Sequence, residues 1–241
     1  MAGDCHIAVT LWCDRGAMMI KRYALYFAPA DAGLWQAGSG WLGRDAATGR
    51  PVGQPAIAGL AAATAAPRKY GFHATLKAPF RLAAGTTPGA LHAALAETAA
   101  ALAPVPLPGL AVTRLGRFLA LCPQPQPAAL TRLAAEVVTR FEPFRAPLSA
   151  AETARRRPEH LSARQNELLR DFGYPFVFEE FRFHMSLTGD LDPAELDRLE
   201  PLATDFFAPH LARPVQIDRL CLFGEDETGR FHLLAAQALS G

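Results

Sequence analysis

One seven-residue pattern occurs twice in this chain. Gly71-Phe72-His73-Ala74-Thr75-Leu76-Lys77 returns as Arg182-Phe183-His184-Met185-Ser186-Leu187-Thr188, 184 − 73 = 111 residues further on. Each copy sets Phe before His, a small hydroxyl residue two places after it, and Leu next. Residues i and i+2 of a strand share a face. The pattern therefore predicts His73, Thr75 and Lys77 on one face, opposite Tyr70, Phe72, Ala74 and Leu76. In the second copy Arg182, His184, Ser186 and Thr188 oppose Phe181, Phe183, Met185 and Leu187. The apolar face seeks a core, and the polar face presents one imidazole and one hydroxyl in each copy.

The segments downstream of the two copies match as well. Thr87-Pro88 opens a helix after the first and Asp192-Pro193 after the second, with Thr87 and Asp192 as caps and Pro at the first helical position. Each half then has two strand candidates: 110–114 and 118–122, then 215–223 and 230–236. This reads as a duplicated β-α-β-β unit, with a period too long for a solenoid. The predicted fold is α+β: two pseudo-two-fold-related lobes with antiparallel sheets, flanked by helices, around a central cleft. Residues 1–20 show no clear period and read as an N-terminal tail. Residues 21–241 read as one bilobal domain with lobes 21–142 and 159–241. Residues 143–158, which carry the charge run Arg155-Arg156-Arg157, read as a linker.

Other segments fill the pattern. Arg22-Tyr23-Ala24-Leu25-Tyr26-Phe27 reads as a strand, 55–65 as an Ala-rich helix, 127–141 as an amphipathic helix and 162–172 as a further helix. Gly38-Ser39-Gly40-Trp41-Leu42-Gly43 is formally a G-x-G-x-x-G run. A dinucleotide loop needs a strand directly before it and a helix directly after. Here the preceding strand ends near Phe27, so the stretch reads as loop and short helix.

Composition narrows the partners. With 24 basic and 23 acidic residues the net charge is +1, too small for a dense phosphate grip on long nucleic acid. Only three of the cations are lysines, Lys21, Lys69 and Lys77, and two of these lie within four residues of His73, which hints at an anion there. Cys5, Cys13, Cys122 and Cys221 form no C-x-x-C pair, so neither a zinc ribbon nor a redox motif is indicated, and a reducing, cytoplasmic setting fits. No apolar run reaches the ~18 residues of a membrane span.

The residue types of the repeated motif then suggest a chemistry. Imidazole titrates near neutrality, so one His can accept a proton while the other gives one. Thr75 and Ser186 can donate hydrogen bonds to phosphate oxygens, and Lys77 and Arg182 can offset phosphate charge. Two histidines and two hydroxyls around one centre describe an acid–base phosphodiesterase with His73 and His184 as the catalytic pair, in either order. Substrate contacts then come from Thr75, Ser186, Lys77 and Arg182. No metal or cofactor is called for: H-E-x-x-H is absent, as are G-x-S-x-G and G-x-x-x-x-G-K-[ST].

At His73-Ala74-Thr75-Leu76 and His184-Met185-Ser186-Leu187 the chain resembles the two-histidine (2H) phosphoesterase superfamily, marked by a pair of H-x-[ST]-x motifs in a bilobal, pseudo-symmetric fold. The resemblance covers about residues 20–239. It implies metal-independent cleavage or formation of 2′,3′- or 2′,5′-linked phosphodiesters of nucleotides or RNA ends. The strand 22–27 and the segment 69–80 look like the uncharacterised branch associated with phosphonate-utilisation genes, for which a ribose cyclic phosphate is an attractive substrate. The expected function is thus hydrolysis of a small cyclic or linear phosphodiester. The alternative is a non-catalytic module binding phosphate or RNA ends.

Overall fold

The strands that directly follow the two histidines lie side by side at the middle of a single antiparallel sheet. The computed structural model describes residues 19–211 and 213–241. The expected tail therefore falls almost wholly outside the described residues, as do Cys5 and Cys13. In chain order the first part contains β1 (Arg22–Phe27), α1 (Ala32–Leu42), α2 (Leu60–Ala63), α3 (Ala65–Arg68), β2 (Ala74–Phe80), α4 (Pro88–Ala101), β3 (Val105–Leu107), β4 (Leu110–Leu115) and β5 (Phe118–Pro123). The second part contains α5 (Ala128–Arg140), α6 (Ala150–Arg155), α7 (Ala163–Phe172), β6 (Met185–Ser186), α8 (Pro193–Leu211), β7 (Val215–Ile217), β8 (Arg219–Glu225) and β9 (Phe231–Ala238).

The seven-stranded sheet has the order β4-β5-β6-β2-β1-β8-β9, and β3 pairs with β7 in a separate two-stranded sheet. The fold is α+β, and the internal duplication is visible in it. β2-α4-β3-β4-β5 and β6-α8-β7-β8-β9 share the same order. Yet each hairpin crosses to the other half: β5 of the first unit pairs with β6 of the second, and β8 of the second pairs with β1 beside β2. The halves are thus fused through one sheet, with β2 and β6 at its seam. β1 stands outside the symmetry, inserted between β2 and β8.

One face of the sheet carries the main core. Leu25, Phe27, Phe72, Ala74, Met185 and Leu187 point into it. They meet Leu34 and Trp41 of α1, Leu91 and Leu95 of α4, Leu130 and Val137 of α5, and Leu199 and Phe207 of α8. This burial of apolar area is the dominant favourable contribution to folding. The helix starts use side-chain caps: Thr87 accepts from the Ala90 amide at 3.1 Å and Asp192 from that of Glu195 at 2.9 Å.

Three readings change. The Ala-rich helix expected over 55–65 is broken into α2 and α3, because Gly59 adopts a left-handed φ of 78° before α2 and Thr64 separates the two. The G-x-G-x-x-G run lies on α1 and at its C-terminal cap, where Gly43 ends the helix at φ 81°, and Gly38 serves packing. A Cβ on Gly38 would lie 2.1 Å from the Phe72 ring, so only Gly lets the residue before His73 dock on α1. The segment 143–158, read as a linker, is ordered. Ser149 and Glu152 form a reciprocal capping box that starts α6, and the stretch pairs back onto the end of the His73 strand through Leu82–Arg145 and the Ala146 amide to the Arg81 carbonyl.

Candidate functional site

Register places the motif residues against one another. β2 and β6 are antiparallel with Ala74 opposite Met185. Antiparallel strands step in opposite directions, so His73 falls across from Ser186 and Thr75 across from His184. Ala74 and Met185 are fully buried on the helix-covered face. The two His and two hydroxyl side chains therefore share the other face.

Each ring is held the same way. The Nδ1–H of His73 donates to the Gly71 carbonyl at 2.9 Å, and the Nδ1–H of His184 donates to the Arg182 carbonyl at 2.8 Å. A carbonyl can only accept, so this bond fixes the neutral tautomer and leaves Nε2 as an acceptor, which in His73 meets the Thr75 hydroxyl. Thr75 Oγ1 lies 3.3 Å from Nε2 of His73. Gly71 is at φ 81°, and a Cβ there would lie 2.5 Å from the Ala46 methyl, so the turn that presents this carbonyl requires Gly.

The rings differ in surroundings. His73 stacks on the buried Tyr26 ring with centroids 3.8 Å apart and planes at 24°. Burial pushes its pKa down to about 4, against the opposing pull of the Gly71 carbonyl, and a charge on His184 pushes in the same direction. His184 lies 5.6 Å from the Phe118 ring. Burial lowers its pKa too, partly offset by the Arg182 carbonyl. Burial thus favours the neutral form of both imidazoles.

A cleft of about 370 Å³ opens over this face. Its lining includes His73, Thr75 and Ser186, the aromatic rings of Tyr26, Tyr70 and Tyr174, and Arg22, Arg155 and Arg156. His184 stands at its margin, outside the lining residues. The volume falls within the range of small-molecule sites. Arg22 is held by Glu225, with Nη2 to Oε1 at 2.7 Å. Glu152 also lines the cleft, but Arg81 and the Ser149 cap hold its pKa down to about 2. Among the described residues no cluster of His, Cys, Asp and Glu is arranged to hold a metal ion.

Two expected site residues lie elsewhere. Lys77 is buried and turned away. Tyr26 pairs with Thr75 while Leu25 pairs with Lys77, so β2 has one residue too many at Leu76. Such a bulge shifts the alternation and places Lys77 on the helix-covered side. There its Nζ donates to the Val138 carbonyl at 3.1 Å and to Glu142 Oε2 at 2.7 Å. Arg182 is exposed and outside the cleft lining, and it serves through its carbonyl. The sequence reading missed the three tyrosines and Arg22. The alternation of β1 contained a signal, since Arg22, Ala24 and Tyr26 share a face. Arg155 and Arg156 were visible as a charge run, but nothing local showed that α6 folds back over the cleft.

Residues 75–232 match the family described as a protein of unknown function (DUF1045), and the chain belongs to that family. Two curated relatives are similar across most of its length. One, from Janthinobacterium sp. (strain Marseille), is 43% identical over 220 residues, covering 87% of this chain and 49% of its own length. The other, from Laribacter hongkongensis, is 41% identical over 211 residues, covering 86% and 49% respectively. Both are named ribose 1,5-bisphosphate phosphokinase PhnN. The chain spans about half the length of these relatives.

The names correct the expected activity. The relatives are named as phosphokinases, which transfer a phosphoryl group, and not as phosphoric diester hydrolases. The reading as a metal-independent phosphodiesterase is therefore withdrawn. Its source is plain: paired histidines and hydroxyls specify proton exchange and phosphate contact, but not which bond is broken.

Proposed function

We propose that the cleft binds a phosphorylated ribose and forms the sugar-phosphate-recognising part of a phosphotransferase system in phosphonate utilisation. The twin ring anchoring carries this reading. Both imidazoles have Nδ1–H committed to a carbonyl, which leaves Nε2 as a proton acceptor at the seam. Thr75 and Ser186 are the hydroxyl donors for a phosphate group beside them, and Arg155 and Arg156 bring positive charge to the same cleft. A neutral Nε2 accepts a hydrogen bond from a ribose hydroxyl. It accepts equally from the P–OH of a phosphate monoanion, a hydrogen bond to a charged group and so the stronger kind of contact.

The relatives' name supplies the ligand class, ribose bearing phosphate. The proposal gives this chain only the sugar-phosphate side, because its sequence contains no G-x-x-x-x-G-K-[ST] run to cradle a nucleotide donor. Membership of the 2H superfamily is part of the same reading, supported by the paired motifs and the duplicated sheet, without that family's hydrolytic chemistry. So is a cytoplasmic setting, which the buried free thiols of Cys122 and Cys221 suit. Among the described residues no helix is long and apolar enough to cross a membrane.

Calorimetric titration with ribose 5-phosphate tests the proposal. His73→Ala and His184→Ala each remove a hydrogen bond to a charged group. Such a bond contributes about 1.5–3 kcal/mol, so each variant should weaken binding by roughly 10- to 100-fold. Absence of binding by the unaltered chain, or variants that bind as it does, would overturn the reading.

A further inference from the structure

The arm formed by residues 143–157 brings two arginines, Arg155 and Arg156, into the lining of the cleft. We infer that Arg155 and Arg156 hold a second phosphate, so that the cleft selects sugars carrying two phosphate groups over those carrying one. The inference rests on the ribose-phosphate reading above and adds the residues that set its selectivity.

The two arginines line the same cleft as His73, Thr75 and Ser186 but come from a different element. Neither has a carboxylate partner among the described residues, and Arg155 Nε makes only a long 3.4 Å contact to the Ala151 carbonyl of its own helix. The acidic residue that shares the cleft lining with them, Glu152, is already taken: Arg81 donates to both of its oxygens at 3.2 and 3.0 Å. Two guanidiniums without a carboxylate partner among the described residues therefore line the cleft beside His73, whose neutral form burial favours. Arg is the side chain suited to forked contacts with phosphate.

The arm is built to hold them there. Arg81 comes directly after β2 and binds Glu152 and the Pro147 carbonyl, the latter at 2.8 Å. This ties α6 to the strand that carries His73 and Thr75. The Arg156 guanidinium lies 5.0 Å over the Tyr174 ring, a cation–π contact that orients it without consuming its hydrogen-bond donors. The tyrosines Tyr26, Tyr70 and Tyr174 add to the lining apolar rings with polar tips, a surface that suits a sugar. One phosphate then sits at the histidines and hydroxyls, the sugar over the tyrosines, and the other phosphate at the arginines.

The test is a titration of the full chain with ribose 5-phosphate and ribose 1,5-bisphosphate in parallel, at fixed ionic strength. The unaltered chain should bind the bisphosphate at least tenfold more tightly. In Arg155→Ala/Arg156→Ala that preference should collapse to within about threefold. Arg157→Ala removes the same charge from an exposed neighbour outside the lining and should keep the preference. Binding of the monophosphate that depends on His73, with no preference for the bisphosphate or with a preference that survives the double variant, overturns the second subsite and leaves the first standing. If neither sugar binds, both proposals fail.

Discussion

The two histidine motifs keep the same ring anchoring in different supports. His73 and His184 each anchor Nδ1 on the carbonyl two residues back, at 2.9 and 2.8 Å, and each has a hydroxyl two residues on. Around them the halves diverge. β2 has seven residues and is flanked by β1 and β6, whereas β6 has two. The Gln126 side chain replaces the ladder beyond β6, accepting from the Phe183 amide at 2.7 Å and donating to the Phe181 carbonyl at 3.3 Å. β1, which has no place in the duplication, supplies the Tyr26 ring that covers His73. On the other side β5 supplies Phe118 at a greater distance. Divergence fell on the shell and spared the ring anchors, as expected if the atoms facing the cleft are the constrained ones.

The position four residues after each His sharpens this contrast. Lys77 reaches Glu142 and the Val138 carbonyl, and Thr188 accepts from the Leu119 amide at 2.9 Å. Both are buried scaffold residues. Lys77→Met should therefore lower stability by roughly 2 kcal/mol, since it leaves a buried carbonyl and part of a carboxylate without a donor. Ribose 5-phosphate affinity should stay unchanged. Urea denaturation and calorimetry on the same sample separate the two effects, and a loss of affinity with full stability would return Lys77 to the site.

A second effect distinguishes the rings by pH. The pKa of His73 falls from an ordinary 6.5 to about 4 on folding. Between those values the unfolded chain holds a proton that the folded chain lacks, so stability present above pH 6.5 is lost as pH falls towards 4. For a full one-proton difference the slope is up to about 1.4 kcal/mol per pH unit. His73→Gln should flatten the stability profile over that window more than His184→Gln does. Equal slopes in the two variants would mean that the Tyr26 stack does not set the halves apart.

Much of this was legible in the chain. Alternation and capping residues located β1, α4, β4, β5 and α5 to within a few residues, because each is encoded locally by period and punctuation, whereas the single strand expected over 215–223 is divided between β7 and β8 of different sheets. The pairing of the His strands was implied by their repetition. What the sequence concealed were events between distant segments. The bulge at Leu76 that turns Lys77 inwards depends on how β1 pairs. The return of α6 over the cleft depends on Arg81 meeting Glu152 across 71 residues. The crossing of each hairpin into the opposite half leaves no periodic trace.

The central claim is that two imidazoles more than a hundred residues apart in sequence serve one ligand. Side-chain nitrogen NMR of His73 and His184 during titration with ribose 5-phosphate tests it most directly. Both Nε2 resonances should move along a single saturation curve, with both rings starting as the Nδ1–H tautomer. Movement of only one resonance, or two curves with different midpoints, would contradict a shared site.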